Sequence, residues 1–302
     1  MTTAALSSGI QLEYDTFGTP DAPALLLVMG FTAQMTAWDE DFCRQLADRG
    51  RFVIRFDNRD CGLSTKFDGQ FVDAAAVLGA ALIKAEIPPV PYTLSDMAFD
   101  AIGLLDHLGI QRAHVVGASM GGMIVQTMAI EHPHRLLSVT SIMSTIGDVD
   151  YGLPTAEAME VFLAPPPSDR AQAIARAADY GVWGSKRYFD VEQAYERAAA
   201  SYDRCSYPEG ASRQIAAVCA SGDRSEMLGA VTVPMLVIHG LDDTLIDPSG
   251  GRRTAELVPG AHLFELADMG HDMPRQLWPM ILGAMIAHGD TAVATADLMV
   301  AS

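Results

Sequence analysis

The stretch "HVVGASMGGMIVQ", residues 114–126, sets Ser119 between Gly117 and Gly121, with an apolar run on each side. The β-branched lead-in reads as a buried strand, and the run that follows suits a helix. A Gly-x-Ser-x-Gly at that junction puts the serine on a strained strand-to-helix turn. Its hydroxyl then stands at the carboxyl end of the strand, with the positive helix N-terminus aimed at it. Positions two before and two after the serine crowd each other, and glycine meets that need by having no Cβ. The same spacing also occurs in purely structural turns. A catalytic reading therefore needs a base and an acid elsewhere in the chain, because a serine hydroxyl alone is a weak nucleophile.

Working outward, "ALLLVMG" (24–30), "RFVIRFD" (51–57), "LLSVTSIMS" (136–144), "PMLVIHG" (234–240) and "HLFELA" (262–267) read as further buried strands. Amphipathic stretches such as "TAWDEDFCRQLADRG" separate them. Continuous apolar strands alternating with helices predict an α/β fold, a mainly parallel sheet covered by helices on both faces. The opening "IQLEYDTFG" alternates polar and apolar residues and predicts an antiparallel edge strand. Two stretches break the rhythm. Residues 67–95 hold the Ala-rich "DAAAVLGAALIKAEIPPVPYT", and residues 148–228 hold three helix-like runs and no good strand. The expected organisation is a core built from 1–147 and 229–302, with 148–228 as a helical cap inserted over the sheet.

Among the eight histidines, His271 has the setting of a base: it follows the last apolar strand, in a loop before the terminal helix. His239 and His262 belong to strands, His114 leads into the serine strand, and His107, His132, His134 and His288 lie in or near helices. A packed or solvated role is expected for these seven. The acid should follow the preceding strand, where "VIHGLDDTLIDP" offers Asp242, Asp243 and Asp247.

Composition excludes several classes. Of 302 residues, 49% are hydrophobic and 19% charged, which is a globular chain and not a disordered one. A net charge of −18 opposes binding to nucleic acid or anionic membranes, which need clustered Lys and Arg. No apolar run reaches the length of a membrane span, and the N-terminus lacks a basic start followed by an apolar core. Four scattered cysteines with no C-x-x-C pair suit neither zinc nor a disulfide framework, so a reduced, cytoplasmic chain is expected. The "HPH" at 132–134 has no accompanying ligand cluster, and "GASMGG" lacks the G-K-[ST] of a phosphate loop. No metal or cofactor is expected. The oligomeric state is left open.

Four stretches together carry a resemblance: "LLLVMGF", "FDNRDCGLS", "HVVGASMGG", and "VIHGLDDTLI" with "MGHDMP". With them the chain resembles an α/β-hydrolase of the Ser-His-Asp kind, across the whole sheet and apart from the insertions. The resemblance implies Ser119 as nucleophile, His271 as base and Asp243, three residues after the strand-end glycine, as acid. Asp148, after the earlier strand, is the fallback. It also implies an oxyanion hole from the backbone N–H groups of Met120 and Phe31, beside Gly30. There are two departures: "MGF" stands where relatives usually have His-Gly, and Asp60 stands where many have glycine. The motifs are similar to those of small esterases such as the methylesterases of anthracycline pathways, which implies a small ester as substrate. Gly30, Phe31, Met120 and Trp183 are candidate substrate-binding residues, although Trp183 equally suits a mere anchor of the insertion. Arg55, Asp57, Asn58 and Arg59 read as an ion-pair network holding their turn, and Trp38 as packing on the first helix. The rival readings are a carbon–carbon bond hydrolase of ring-cleavage products, a cofactor-free haloperoxidase, and a ligand receptor on the same scaffold.

Overall fold

The computed structural model describes residues 2–300. The expected core stretches therefore extend past the described residues by residue 1 and residues 301–302. Eight strands form one sheet: β1 (Thr2–Ala5), β2 (Gln11–Phe17), β3 (Ala24–Val28), β4 (Phe52–Phe56), β5 (Ala113–Ala118), β6 (Leu136–Ile142), β7 (Met235–Gly240) and β8 (His262–Leu266). Their order is β1-β2-β4-β3-β5-β6-β7-β8. Strands from β4 to β8 in that order run parallel, and β1 and β2 are antiparallel additions. The "IQLEYDTFG" segment is thus antiparallel as expected, but it is not the edge. The short β1 covers it, and "TTAA" is too brief and too polar to show a periodicity.

The helices are α1 (Glu40–Ala47), α2 (Ala74–Leu82), α3 (Leu94–His107), α4 (Met120–Glu131), α5 (Ala156–Phe162), α6 (Arg170–Arg176), α7 (Val191–Arg204), α8 (Glu209–Ser221), α9 (Ser225–Leu228), α10 (Ser249–Leu257) and α11 (Trp278–Val300). No described helix is long and apolar enough to cross a membrane. Every residue of β3, β4 and β5 is buried. That follows from covering both faces of a parallel sheet, so both sets of alternating side chains need apolar neighbours. Leu26, Val28, Ile54 and Val115 pack on one face with Leu104, Met123 and Met128. Leu25, Leu27, Val53 and Val116 pack on the other with Phe42, Ile281 and Leu282. Trp38 is fully buried and stacks on Phe42 of α1 at 5.9 Å. At about 25 cal/mol per Å2 of apolar surface, this two-sided burial is the dominant favourable term of the fold.

Between β6 and β7 lie five helices, α5 to α9, where the sequence suggested three. α5 and α9 are only seven and four residues long. Segments so short carry little periodicity to read. The Ala-rich 74–82 segment forms α2 and packs on α8 through Val77 and Ala216, while Leu82 and Ile83 stay exposed.

The register decides where the loops emerge. Val28 pairs with Gly117, Ala118 with Ile142, Ile142 with Ile238, and Gly240 with Leu266. The carboxyl ends of β3, β5, β6, β7 and β8 therefore share one edge. Open parallel sheets hold their ligands at that edge.

Candidate active site

Ser119 follows β5 directly and caps α4, with φ 56° and ψ −121°. This is a strained conformation for a residue with a Cβ, and the surroundings impose it. The Ser119 N–H donates to Ile142 O of β6 at 2.9 Å, and its carbonyl accepts from Ser144 Oγ at 2.8 Å and Gly122 N at 2.8 Å. A Cβ on Gly117 would stand 2.0 Å from Gly121 O, which is the crowding the motif implied. A Cβ on Gly121 would instead strike Val28 O of β3, at 2.1 Å. The second glycine thus lets the helix lie against the neighbouring strand.

The His271 loop after β8 reaches the serine. His271 Nε2 lies 2.9 Å from Ser119 Oγ, and Nδ1 lies 2.7 Å from Asp243 Oδ2. The three side chains come from 28 and 152 residues apart in sequence and form one hydrogen-bonded chain. With a carboxylate as its partner, Nδ1 must carry the proton, which leaves the Nε2 lone pair facing the serine hydroxyl. The loop is pinned from outside. The His271 N–H donates to Trp183 O at 2.6 Å, and the neighbouring Asp272 carboxylate accepts from Ser185 N and Gly270 N. No side-chain pattern marks Trp183 as acting here through its backbone; its ring stacks on Tyr180 at 5.3 Å.

Asp243 is buried, and its second oxygen accepts from Leu245 N and Ile246 N, each at 2.9 Å. Burial opposes its charge, yet the charge of His271 and hydrogen bonds from His239 and His271 outweigh it and hold its pKa at about 2. His239 is a contributor that sequence reasoning placed only as a packed strand residue. Packed it is, with no exposed surface, but Nε2 also sits 3.5 Å from Asp243 Oδ2 while donating to Ile246 O at 2.8 Å. The signal for it was its position in β7, four residues before the acid.

The other acids are engaged elsewhere. Asp242 faces Lys186 at 3.3 Å, Asp247 accepts from Ser249 N, and Asp148 accepts from Asp150 N within its own loop. At the turn after β4, Arg59 pairs with Asp100 in a buried fork, Arg55 with Asp15, and Asp57 with Arg204. This is the network expected there, extended into α7.

Gly30 lies against the serine: a Cβ there would be 3.0 Å from Ser119 Cβ and 3.5 Å from its Oγ. Phe31 and Met120 are the next amides on either side. Among the described residues their N–H groups donate to no other group of the chain. Met120 N–H is one of the unpaired donors that every helix N-terminus leaves. The Met120 side chain is buried, and the Phe31 ring packs on Phe162 of α5 at 5.2 Å. Two unpaired donors beside a hydroxyl held by an imidazole can bind a developing oxyanion, the arrangement that acyl transfer needs.

A model of the alpha/beta hydrolase fold matches residues 23–274. The chain belongs to this family. This α/β hydrolase is 27% identical to a rhodomycin D methylesterase of Streptomyces sp. (strain C5), with 92% of this chain and 95% of that one covered. It is 26% identical to 3-oxoadipate enol-lactonase 2 of Acinetobacter baylyi, with 87% and 86% covered. Among solved structures, the enol-lactonase from Burkholderia xenovorans LB400 superposes with a TM-score of 0.73 at 23% identity, covering 95% of this chain and 99% of that one. That last likeness is one of fold.

Proposed function

We propose that this α/β hydrolase is a serine carboxylic ester hydrolase acting on neutral, small-to-medium apolar esters. The observation that supports it most is the chain Asp243–His271–Ser119, at 2.7 and 2.9 Å, on the carboxyl edge of the sheet. Ser119 Oγ attacks the ester carbonyl carbon while His271 Nε2 takes its proton. Asp243 holds the Nδ1 proton and stabilises the imidazolium. The N–H groups of Phe31 and Met120 bind the oxyanion, each worth about 3 kcal/mol of barrier. The imidazolium then protonates the departing alcohol, and a water molecule activated by His271 releases the acid from the acyl-enzyme.

Residues 148–228 serve as the cap over a core of 1–147 and 229–302. Phe162 of the cap packs on Phe31, which puts an apolar cap side chain beside the candidate oxyanion loop, and the Trp183 carbonyl holds the His271 loop from the cap side. A site so lined buries most of a small ligand and orients it with few polar groups. The methylesterase and enol-lactonase relatives cleave, by their names, a methyl ester and a lactone, both of which are carboxylic esters.

The test is kcat/KM across p-nitrophenyl esters of increasing acyl length, methyl esters and lactones, with a vinylogous diketone as the carbon–carbon counterpart. Short and medium esters should be preferred by about 1 kcal/mol or more per misfitting methylene, and Trp183→Ala should flatten that preference. A flat profile indifferent to Trp183→Ala would overturn the cap's role in selectivity. Cleavage of the diketone without any ester turnover would make the protein a carbon–carbon bond hydrolase.

A further inference from the structure

The peptide that presents the Phe31 N–H is braced by a side chain from the helical insertion. Gly30 O accepts from Ala33 N at 3.3 Å, which turns the N–H of the same peptide plane, that of Phe31, the opposite way. The next residue, Thr32, has φ 55°, a left-handed conformation in which a β-branched residue is an outlier. Its N–H donates to Gln214 Oε1 at 2.8 Å. Gln214 sits on α8, 182 residues away, with no exposed surface, and its Nε2 donates to Arg59 O at 2.9 Å. Because one partner is an N–H and the other a carbonyl, the orientation of the Gln214 amide is fixed. Two residues on, Gln34 donates to Ser201 O and Cys205 O, at the end of α7 and just beyond it. The loop is therefore tied to the insertion at two points just after the residue carrying the candidate oxyanion donor.

We propose that Gln214 is a positioning residue for the oxyanion hole: by accepting from Thr32 N–H it holds the strained turn that aims the Phe31 N–H at the reacting oxygen. This rests on the serine-hydrolase reading above. It makes the insertion part of the catalytic geometry as well as a roof. A bond that merely joins α8 to the core would affect folding but not the reaction coordinate. A bond that aims a donor changes kcat while leaving ground-state binding nearly untouched.

The experiment compares wild type, Gln214→Met, which removes both hydrogen bonds at similar volume, and Gln214→Glu, which keeps an acceptor for Thr32 N–H. Active sites are counted by titration with a fluorophosphonate, so a variant that folds poorly is still read per competent site. For Gln214→Met, kcat on p-nitrophenyl butyrate should fall on the order of tenfold to a hundredfold, the usual penalty for a misplaced group, with KM within about threefold. Inhibition by an alkyl trifluoromethyl ketone, whose adduct oxygen would occupy the hole, should weaken by the same factor, while affinity for the matching alkyl methyl ketone stays unchanged. Gln214→Glu should retain more of kcat than Gln214→Met. Unchanged kcat per active site in Gln214→Met, equal losses in both variants, or a rise confined to KM would overturn the positioning role. A wild-type protein that turns over ester without a fluorophosphonate adduct on Ser119 would overturn the serine reading itself, and this inference with it.

Discussion

Arg213 grips Asp60 through two nitrogens, at 2.8 and 2.9 Å, across 153 residues of sequence. Both side chains are buried, and Tyr92 Oη donates to the same carboxylate at 2.7 Å. This accounts for the aspartate where many relatives are expected to have glycine. The turn after β4 is a socket for α8, so a residue that looked local is half of a long-range contact. Removing one member of a buried pair leaves the other charged and unpaired, which costs about 3–5 kcal/mol. Arg213→Leu should show a loss of that size in urea unfolding, and Asp60→Leu combined with Arg213→Leu should recover part of it. A loss below about 1 kcal/mol for the single variant would mean the pair is solvated in solution.

The glycines divide sharply by what surrounds them. A Cβ at Gly117 would lie 2.0 Å from a backbone carbonyl, whereas one at Gly79 in α2 would meet nothing within 4 Å. Gly117→Ala should destabilise the protein by more than about 3 kcal/mol or abolish soluble expression. Gly79→Ala should stabilise it by about 0.5–1 kcal/mol through helix propensity. Melting curves of the two variants decide this; equal shifts would contradict the packing described at the serine turn.

Asp243→Asn keeps the shape of the site and removes the charge that selects the imidazole tautomer. Its kcat should fall about ten-thousandfold with the fold retained, by analogy with other triads. Asp148→Asn, whose carboxylate serves its own loop, should remain near wild type. The reverse pattern of rates would move the acid to the loop after β6.

The same variant exposes the pH dependence. Asp243 titrates at about 2 in the folded chain against an ordinary 3.8, a folded value below the unfolded one. The stability linked to its charge is therefore complete above about pH 4 and drains away as pH falls towards 2. The stability difference between wild type and Asp243→Asn, measured by urea unfolding, should shrink as pH falls below about 4. A difference already shrinking near pH 6 would show that Asp243 ionises much higher than its surroundings imply.

Much of the sheet and the residues of the candidate site were legible because each has a local signature. A continuous apolar run marks a strand buried on both faces, and Gly-x-Ser-x-Gly marks the turn that Ser119 occupies. His271 was read from its place just past a strand end, and Asp243 was chosen by the family resemblance from three aspartates past the preceding strand. The contacts that hold the site were not legible, for a common reason. Gln214 and Arg213 lie on an ordinary amphipathic helix, and their partners Thr32 and Asp60 are more than a hundred and fifty residues away. Trp183 acts on the His271 loop through a carbonyl, which no side-chain pattern encodes. The edge strand β1 went unseen because four small or polar residues carry no periodic signal.

Peptide mass spectrometry after treatment with diethyl p-nitrophenyl phosphate is the most direct test of Ser119 as the covalent nucleophile. The predicted result is one diethylphosphoryl group on Ser119, with ester hydrolysis lost in proportion to labelling. Phosphorylation of a different residue, or an unlabelled Ser119 in protein whose ester hydrolysis has been abolished, would contradict it.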